Sequence, residues 1–346
     1  MVITSQQEGS SQSTGQQLNS GVVRALGLIS GGLDSILSAL VLQSQGIEVA
    51  WINFETPFFS SDKARRAAVM SGIPLRVENI TQVYVQMLKN PNCGYGTNMN
   101  PCMDCHALML EIAGSIMKKE GFDFLFTGEV VGQRPMSQTK PSLRYVEKRS
   151  GFAGYVVRPL SAKLLSPTIP EERGLVDRER LLDISGRSRK RQIELAETLG
   201  ISDYPAPGGG CLLTDPAFSR RVKDLFEHQK ECRERDFELL KYGRHFRLHD
   251  DHKVIVGRTK EENRQILKLS YPDKDILIHM TDIPGPATMV PCGAPEEILL
   301  EAASLCAAYS RAQDDQPVRV SVKSPGGSEI LTVQGSNPKK YHPYLI

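Results

Sequence analysis

The stretch that decides the fold of this chain is Ser30-Gly31-Gly32-Leu33-Asp34-Ser35. It follows an apolar run over 22–29 that is typical of a short buried strand, and it precedes an amphipathic stretch over 36–42 that is typical of a helix. Such a turn presents backbone N–H groups and the positive end of a helix dipole to a phosphate. The glycines allow close approach of an anion, the serines add hydroxyl donors, and Asp34 can hold the Mg²⁺ of a nucleoside triphosphate. No Gly-Lys-Ser/Thr ends the motif, so it is not a Walker A loop; taken alone, it could also be an ordinary glycine-rich turn.

Strand and helix patterns alternate downstream of this turn. The sequence predicts strands over 48–54, 75–80, 122–126 and 155–158, with helices over 63–70 and 107–120. Alternation with short connections predicts an α/β fold built on a doubly wound parallel sheet. Ligands of such sheets bind beyond the carboxyl ends of the strands, where the turn at 30–35 would lie. A second polar turn over 127–133 follows a predicted strand and belongs at the same edge.

Composition indicates an ordinary soluble protein with two domains. The chain has 346 residues, 40% of them hydrophobic and 24% charged, and it contains no apolar run of membrane-spanning length. Residues 1–20 are rich in Gln, Ser and Gly without an apolar core, so we predict a disordered tail rather than a signal peptide. These features predict a cytoplasmic protein without a membrane partner. Seven cysteines in such a protein favour thiol or metal chemistry over disulfides.

Three of the cysteines form a candidate sulfur or metal site. Cys102 and Cys105 form a C-x-x-C at the predicted N-terminus of a helix, whose dipole should lower the pKa of both thiols. Cys211 follows three glycines, which leave room for a bulky ligand. Three cysteines with an open fourth position could bind a [4Fe–4S] cluster that leaves one iron free for an exogenous ligand such as sulfide. Persulfide or disulfide chemistry and a structural zinc site are the alternatives, and Cys93 could substitute for one ligand.

The motifs together resemble the PP-loop tRNA thiolation enzymes, a class that includes the 4-thiouridine synthases and 2-thiouridylases. The strings that carry the resemblance are SGGLDS at 30–35, NPCMDC at 100–105, TGEVVGQRPMSQ at 127–138 and GGGCLL at 208–213. The hexamer is similar to the PP-loop of ATP pyrophosphatases, and the cysteine pattern resembles the iron–sulfur-dependent branch. Residues from about 241 onward resemble the NFACT-R RNA-binding domain. The predicted organisation is a tail at 1–20, a PP-loop (HUP-like) domain at 21–215, a helical linker at 216–240 and a smaller α+β domain at 241–346.

The resemblance implies an ATP-dependent tRNA sulfurtransferase. Adenylylation with loss of pyrophosphate would turn a uridine carbonyl oxygen into a leaving group, and sulfur would then displace AMP. Under this interpretation Ser30, Gly31, Gly32 and Ser35 bind phosphates, and Asp34 orients Mg²⁺. Asn53 and Phe54 would border adenine, while Gly128 and Glu129 would close the opposite wall. The catalytic sulfur group would be held by Cys102, Cys105 and Cys211.

A basic segment is the candidate RNA surface. Residues 140–191 carry 13 Lys and Arg against 6 Asp and Glu, although the net charge of the whole chain is only +2. This local excess suits a polyanion, and a solvated helix face is the ordinary alternative. The predicted contacts to the tRNA backbone are Arg134, Arg158, Arg187, Arg189, Lys190 and Arg191. The other predicted partner is a sulfur donor, either sulfide or a cysteine desulfurase, and the oligomer we consider is a homodimer.

Three other functions fit parts of the sequence. A PP-loop ligase or amidotransferase would use the same adenylylation on a carboxylate, but it would not depend on the cysteines. A sulfur-insertion enzyme acting on a small molecule would not need the basic segment. A non-catalytic RNA-binding protein would not need Asp34 and Ser35 intact.

Overall fold

The computed structural model describes residues 21–204, 210–249 and 252–346. The tail predicted over 1–20 lies outside the described residues, as do Gly208 and Gly209 of the predicted cysteine loop. Within these ranges the chain forms two sheets, a parallel one followed by an antiparallel one. No helix of the described ranges combines the length and apolar character needed to cross a bilayer.

The first sheet is parallel throughout, as the alternating pattern predicted. Its strands are β1 (Arg24–Leu28), β2 (Glu48–Glu55), β3 (Leu75–Asn79), β4 (Phe124–Thr127) and β5 (Val156–Val157). The strand order is β3-β2-β1-β4-β5, so the direction of winding reverses between β1 and β4. A reversal of this kind opens a crevice at the carboxyl ends of the two strands. The turns at 30–35 and 127–133 both leave the sheet at this point.

Helices cover both faces of the parallel sheet, each over its own apolar core. The helices are α1 (Leu33–Gln43), α2 (Asp62–Ser71), α3 (Thr81–Lys89), α4 (Cys102–Glu120), α5 (Lys140–Ser150), α6 (Ile169–Glu172), α7 (Lys190–Thr198), α8 (Pro216–His228) and α9 (Glu234–Leu239). One core packs side chains of α1, α2 and α7 on the sheet, and the other packs side chains of α3, α4, α8 and α9. The two packed faces confirm the doubly wound architecture.

Two segments after β5 contain only short helices. Residues 160–200 contain the short α6, two 3₁₀ turns and α7, and Pro167 with two glycines in the left-handed region, Gly174 and Gly186, interrupts longer helix formation. The helical linker predicted over 216–240 consists of two helices, α8 and α9. Because Phe218 and Phe237 are buried in the second core of the parallel sheet, this segment packs on the preceding residues over its length.

The second sheet is antiparallel and has six strands. They are β6 (Arg244–Leu248), β7 (His252–Val256), β8 (Ile276–Met280), β9 (Thr288–Val290), β10 (Pro317–Ser324) and β11 (Gly327–Gln334), in the order β11-β10-β8-β9-β7-β6. Two helices accompany the strands, α10 (Lys260–Lys268) and α11 (Glu296–Ala308). The smaller α+β fold is therefore confirmed. Cys306 of α11 is fully buried in its core.

Candidate nucleotide and sulfur site

The turn at 30–35 is shaped by close packing against the start of α2. Gly31 has φ +78°, and a Cβ at this position would collide with the backbone of Lys63, so glycine is required on both grounds. Gly32 is the N-cap of α1, and no side chain caps this helix. The N-terminus of an eleven-residue helix is therefore open toward the turn, which is the arrangement that binds phosphate.

Asp34 lies in the first turn of α1 with half of its carboxylate unsatisfied. Its Oδ2 atom accepts a hydrogen bond of 3.1 Å from Gln133 Nε2, whereas Oδ1 is buried without a partner among the described residues. Burial raises the pKa of Asp34, and the Gln133 hydrogen bond and the charges of Arg189 and Arg134 offset part of that rise. A buried carboxylate oxygen with no partner fits a ligand of Mg²⁺, a cation that prefers oxygen. The predicted Mg²⁺ role of Asp34 thus fits the geometry.

The second turn touches the first through Gly128. A Cβ built on Gly128 would lie 2.5 Å from Ser35 N and 2.6 Å from the carbonyl carbon of Asp34. Glycine at this position therefore lets the end of β4 press against the backbone of the nucleotide turn. The two turns are thus in contact at the edge of the sheet, and the nucleotide role of Gly128 stays a prediction.

We expect Gly128→Ala to weaken ATP binding by about tenfold or more and to cost roughly 1–3 kcal/mol of stability, because the added methyl group must displace the turn. Titration with ATP and thermal unfolding measure the two effects. Gly326→Ala, in the turn between β10 and β11 where a Cβ meets only a distant hydroxyl, is the matched control. Wild-type ATP affinity in Gly128→Ala would contradict the expectation.

Asn53 and Phe54, the two residues predicted to border adenine, point to opposite faces of β2. Asn53 Nδ2 donates a 2.5 Å hydrogen bond to the carbonyl oxygen of Ile29, and its Oδ1 atom is buried without a partner among the described residues. Phe54 is 3% exposed and packs in the apolar core that α3 and α4 cover. Successive side chains of a strand point to opposite faces, so the two cannot share one role. The prediction for Phe54 is wrong, and that for Asn53 stays a prediction.

Arg158 is buried inside the first domain and does not face solvent. It is 2% exposed; its Nε donates a 3.0 Å hydrogen bond to Glu129 Oε2, and its guanidinium pairs with Glu147. A guanidinium enclosed between two carboxylates cannot contact an RNA backbone, so the RNA-binding prediction for Arg158 is wrong. The basic pattern at 140–191 did not reveal this burial because both carboxylates come from other elements.

Glu129 joins this buried arrangement instead of forming a wall for the nucleotide. Its Oε1 atom lies 3.0 Å from His106 Nδ1, and its Oε2 atom accepts from Arg158 and, at 3.1 Å, from Thr127 Oγ1. Burial alone would raise the pKa of Glu129, but Arg158 and His106 outweigh it and lower the pKa to about 2. The carboxylate is ionised and engaged at both oxygens. Of the predicted wall, therefore, only Gly128 touches the nucleotide turn.

Two of the predicted RNA contacts lie near the nucleotide turn. Arg134 and Arg189 are both close enough to Asp34 to lower its pKa, as is the amide of Gln192 on α7. Gln192 is fully buried, and neither of its amide atoms has a hydrogen-bond partner among the described residues. Arg187, Lys190 and Arg191 are exposed, so their RNA contacts stay predictions. Gln133 and Gln192 were not among the residues predicted from the sequence, although the helical spacing of Gln192 from Arg189 is a signal that points to Gln192.

The three cysteines are partly buried at the ends of their elements. Cys102 and Cys105 occupy the first turn of α4, and Cys211 is the N-cap of a 3₁₀ turn whose Leu212 N–H donates to Phe58 O at 3.1 Å. Burial raises the pKa of Cys105 well above its usual value and also raises that of Cys211, with further contributions from the neighbouring thiols. The lowering expected from the helix dipole is therefore wrong for Cys105, because desolvation outweighs the dipole.

Neighbouring thiols contribute to the raised pKa values of Cys105 and Cys211, but the cysteines of the described residues do not form a preassembled site for a single metal ion. Over 21–204, 210–249 and 252–346, no three Cys, His, Asp or Glu side chains are grouped closely enough to hold a metal ion. Three thiols are a donor set that suits an iron–sulfur cluster, whose thiolates lie farther apart than the ligands of a single metal ion. Tyr84, whose buried hydroxyl has no hydrogen-bond partner among these residues, faces Cys105.

Arg134 is an exposed residue whose charge acts on groups of both the nucleotide turn and the cysteines. It contributes to lowering the pKa of Asp34, and it opposes the effect of burial on the pKa of Cys211.

Comparisons with known proteins agree with the two-part organisation. Residues 21–163 match the family model described as "Thiamine biosynthesis protein (ThiI)", and residues 243–345 match "NFACT protein RNA binding domain". The chain is 31% identical over 146 residues to a "Probable tRNA sulfurtransferase" of Caldanaerobacter subterraneus subsp. tengcongensis, and 30% identical to one of Thermoanaerobacter sp. (strain X514). Both matches cover 40% of this chain and 36% of the relative, so the chain spans about a third of the length of these curated relatives.

A solved structure described as "Crystal structure of a 4-thiouridine synthetase - RNA complex with bound ATP" shares 20% identity with this chain. The similarity covers 52% of each chain with a TM-score of 0.33, which is too low to establish a common fold.

Proposed function

We propose that this chain, in which residues 21–163 form a ThiI-family domain and residues 243–345 an NFACT-type RNA-binding domain, is an ATP-dependent tRNA sulfurtransferase. The activity named for its relatives belongs to proteins of which it spans only part, so the activity of the whole chain is an inference. The single observation that carries it is the geometry of the nucleotide turn, where the buried Oδ1 atom of Asp34 has no partner among the described residues beside the open N-terminus of α1.

The proposed chemistry has two steps. A carbonyl oxygen of a uridine attacks the α-phosphorus of ATP, the bond to the β-phosphate oxygen breaks, the ring N–H beside that carbonyl gives its proton to water, and pyrophosphate leaves beside the N-terminus of α1. Asp34 would hold Mg²⁺, which would supply charge neutralisation for the phosphates. A sulfur nucleophile then attacks the activated carbon, and AMP leaves with the former carbonyl oxygen. Arg134 and Arg189 would bind the phosphates, which extends the site beyond the glycine turn.

Cys102, Cys105 and Cys211 are the proposed sulfur-handling group. A [4Fe–4S] cluster is one form that this group could take, and a persulfide resolved by a second thiol is the other. Neighbouring thiols contribute to the raised pKa values of Cys105 and Cys211, and this proximity supports a shared task for the group. The sulfur donor, sulfide or a cysteine desulfurase, and a homodimeric assembly stay predictions.

The direct test is an anaerobic reaction of the purified full chain with ATP, Mg²⁺, sulfide and unmodified tRNA. We expect pyrophosphate and thionucleoside in equal amounts, both dependent on tRNA. Pyrophosphate released with a small carboxylate substrate instead of tRNA would establish a ligase. RNA binding without any pyrophosphate would establish a non-catalytic protein.

We expect Arg189→Gln to lower kcat/KM for ATP in this reaction by about 10- to 100-fold, because one charge-assisted phosphate contact is lost. Pyrophosphate release at varied ATP concentration measures the change. Arg173→Gln, an exposed residue of the same basic segment at the end of α6, is the matched control. Equal losses in the two variants would point to a general charge effect and would remove Arg189 from the nucleotide site.

A further inference from the structure

Between β4 and α5, the chain forms a closed loop over 132–138 that is attached to the nucleotide turn. Gly132 N donates a 2.7 Å hydrogen bond to Gln138 O, which joins the two ends of the loop, and the Gln138 side chain is buried beneath it. Gln133 Nε2 donates to Asp34 Oδ2 at 3.1 Å, so the loop contacts the nucleotide turn directly. The groups that this loop exposes to solvent therefore lie beside the nucleotide turn.

The loop exposes an apolar tip. Met136 is 79% exposed, and Pro135 before it is exposed as well. The backbone of the tip is nevertheless held in place, because the carbonyl oxygen of Met136 accepts a 2.8 Å hydrogen bond from Ser142 Oγ in the first turn of α5. Across the tip, Gln138 N donates to Arg134 O at 3.1 Å. An unbranched apolar side chain on a fixed backbone is suited to insertion between stacked bases.

The outward face of α5 is a stripe of cations. Lys140, Arg144 and Lys148 are spaced four residues apart, so they lie on one face of the helix, and all three are exposed. Glu147, the only acidic residue of α5, turns inward and pairs with the buried Arg158. Among the described residues no salt bridge neutralises any of the three cations. Like charges at this spacing repel one another, and a polyanion along the stripe would remove the repulsion.

The tip and the stripe form one surface that begins at the nucleotide turn. The tip is bonded to the first turn of α5, so it lies at the N-terminal end of the stripe. In the proposed reaction a base carbonyl must reach ATP at the N-terminus of α1. A base that is stacked in folded RNA cannot enter an enzyme site, so it must leave the stack, and a gap opens between its neighbours. Apolar side chains such as Met and Pro fill gaps of this kind.

We propose that Pro135 and Met136 insert into the RNA stack at the place that the target base leaves, while phosphates of the same RNA lie along Lys140, Arg144 and Lys148. Met136 then holds the base out of the stack and toward the nucleotide turn. The inference rests on the proposed thiolation and adds the surface that holds its RNA and the residue that displaces the base.

Tryptophan fluorescence tests the insertion without turnover. The chain has one tryptophan, Trp51, which is 1% exposed, so its emission is a constant background. In Met136→Trp the emission of the new indole should fall about twofold or more when bulk unmodified tRNA is added without ATP, because aromatic side chains stack on bases. Val69→Trp, at a position of α2 that is 86% exposed, is the matched control and should change far less. Equal quenching in both variants, or none in Met136→Trp, would overturn the insertion.

Turnover on two RNAs separates insertion from a structural effect. We expect Met136→Ala to lower kcat/KM for thiolation of folded tRNA by about 10- to 100-fold, from the usual strength of one stacking contact. On oligouridylate, which has no stable stack to open, the loss should be less than about threefold. Because Met136 is exposed, the variant should unfold at the wild-type temperature. The same loss on both RNAs would contradict the proposal.

The salt dependence of tRNA binding tests the stripe. Lys140→Gln combined with Lys148→Gln should reduce the slope of log affinity against log salt by about 2, one for each lost phosphate contact. Lys118→Gln combined with Lys119→Gln removes the same charge from the C-terminal end of α4 and should leave the slope unchanged. A wild-type slope in the stripe variant would refute the proposed path of the RNA. A wild type that forms no thionucleoside would instead refute the proposed function, and the fluorescence and the slope would still decide this inference.

Discussion

Cys211→Ala is expected to abolish thionucleoside formation, by about 10³-fold or more, while ATP affinity stays within about twofold of the wild type. The thiol is partly buried beside Cys102 and Cys105, so its loss removes one member of the proposed sulfur group. The nucleotide turn depends on Gly31, Asp34 and Gly128, none of which needs this thiol for its conformation. This variant should therefore lose thionucleoside formation while it keeps its affinity for ATP.

Thionucleoside analysis and ATP titration measure these two quantities, and iron and acid-labile sulfide assays identify the sulfur group. About four irons per chain, lost in the Ala variants of all three cysteines, would establish a [4Fe–4S] cluster. Iron-free protein with a persulfide on one thiol would establish the alternative. Cys232→Ala is the control, because this thiol packs at the edge of the second core, donates a hydrogen bond to the carbonyl oxygen of Gln229 and does not belong to the proposed sulfur group. Thiolation retained in Cys211→Ala would contradict the proposed sulfur group.

The parts of the fold that the sequence predicted correctly are those specified by local signals. The β1–turn–α1 unit is encoded within twenty residues by an apolar run, two glycines and an amphipathic helix. Gly72 ends α2 in the left-handed conformation, as a C-cap glycine should. The parallel, doubly wound arrangement also followed from local information, because the alternation of strands and helices restricts the topology to few choices.

The errors arose where the environment of a side chain depends on distant elements. Arg158 was assigned to RNA from the charge of its segment, yet its partner Glu129 is 29 positions away along the chain. Phe54 was assigned with its neighbour Asn53, although the pleat of β2 separates the two faces. The thiol of Cys105 was expected to be acidic from the helix dipole, and burial by other helices reversed the direction. The order of residues along the chain does not by itself show these tertiary contacts or the burial that they cause.

Arg158→Met is expected to lower the free energy of unfolding by about 3–5 kcal/mol at pH 7, because it leaves buried carboxylates without their partner. Glu129 has 11% of its side chain exposed, and it would keep only His106 and Thr127 as partners. Arg66→Met is the matched control, since Arg66 forms a solvent-exposed pair with Asp203 and its loss should barely move the unfolding midpoint. Urea unfolding of the three proteins at pH 7 measures the difference.

The pH dependence separates a lost ion pair from lost packing. The pKa of Glu129 is about 2 in the folded state and about 4.5 when it is free. Its ionisation therefore stabilises the fold fully above pH 4.5, by an amount on the order of 3 kcal/mol, and the contribution disappears as the pH falls from 4.5 toward 2. In Arg158→Met the carboxyl group loses the partner that lowered its pKa and can protonate at higher pH. The difference in unfolding free energy between wild type and variant should therefore shrink steadily below pH 4.5, whereas a packing defect alone would leave it constant with pH.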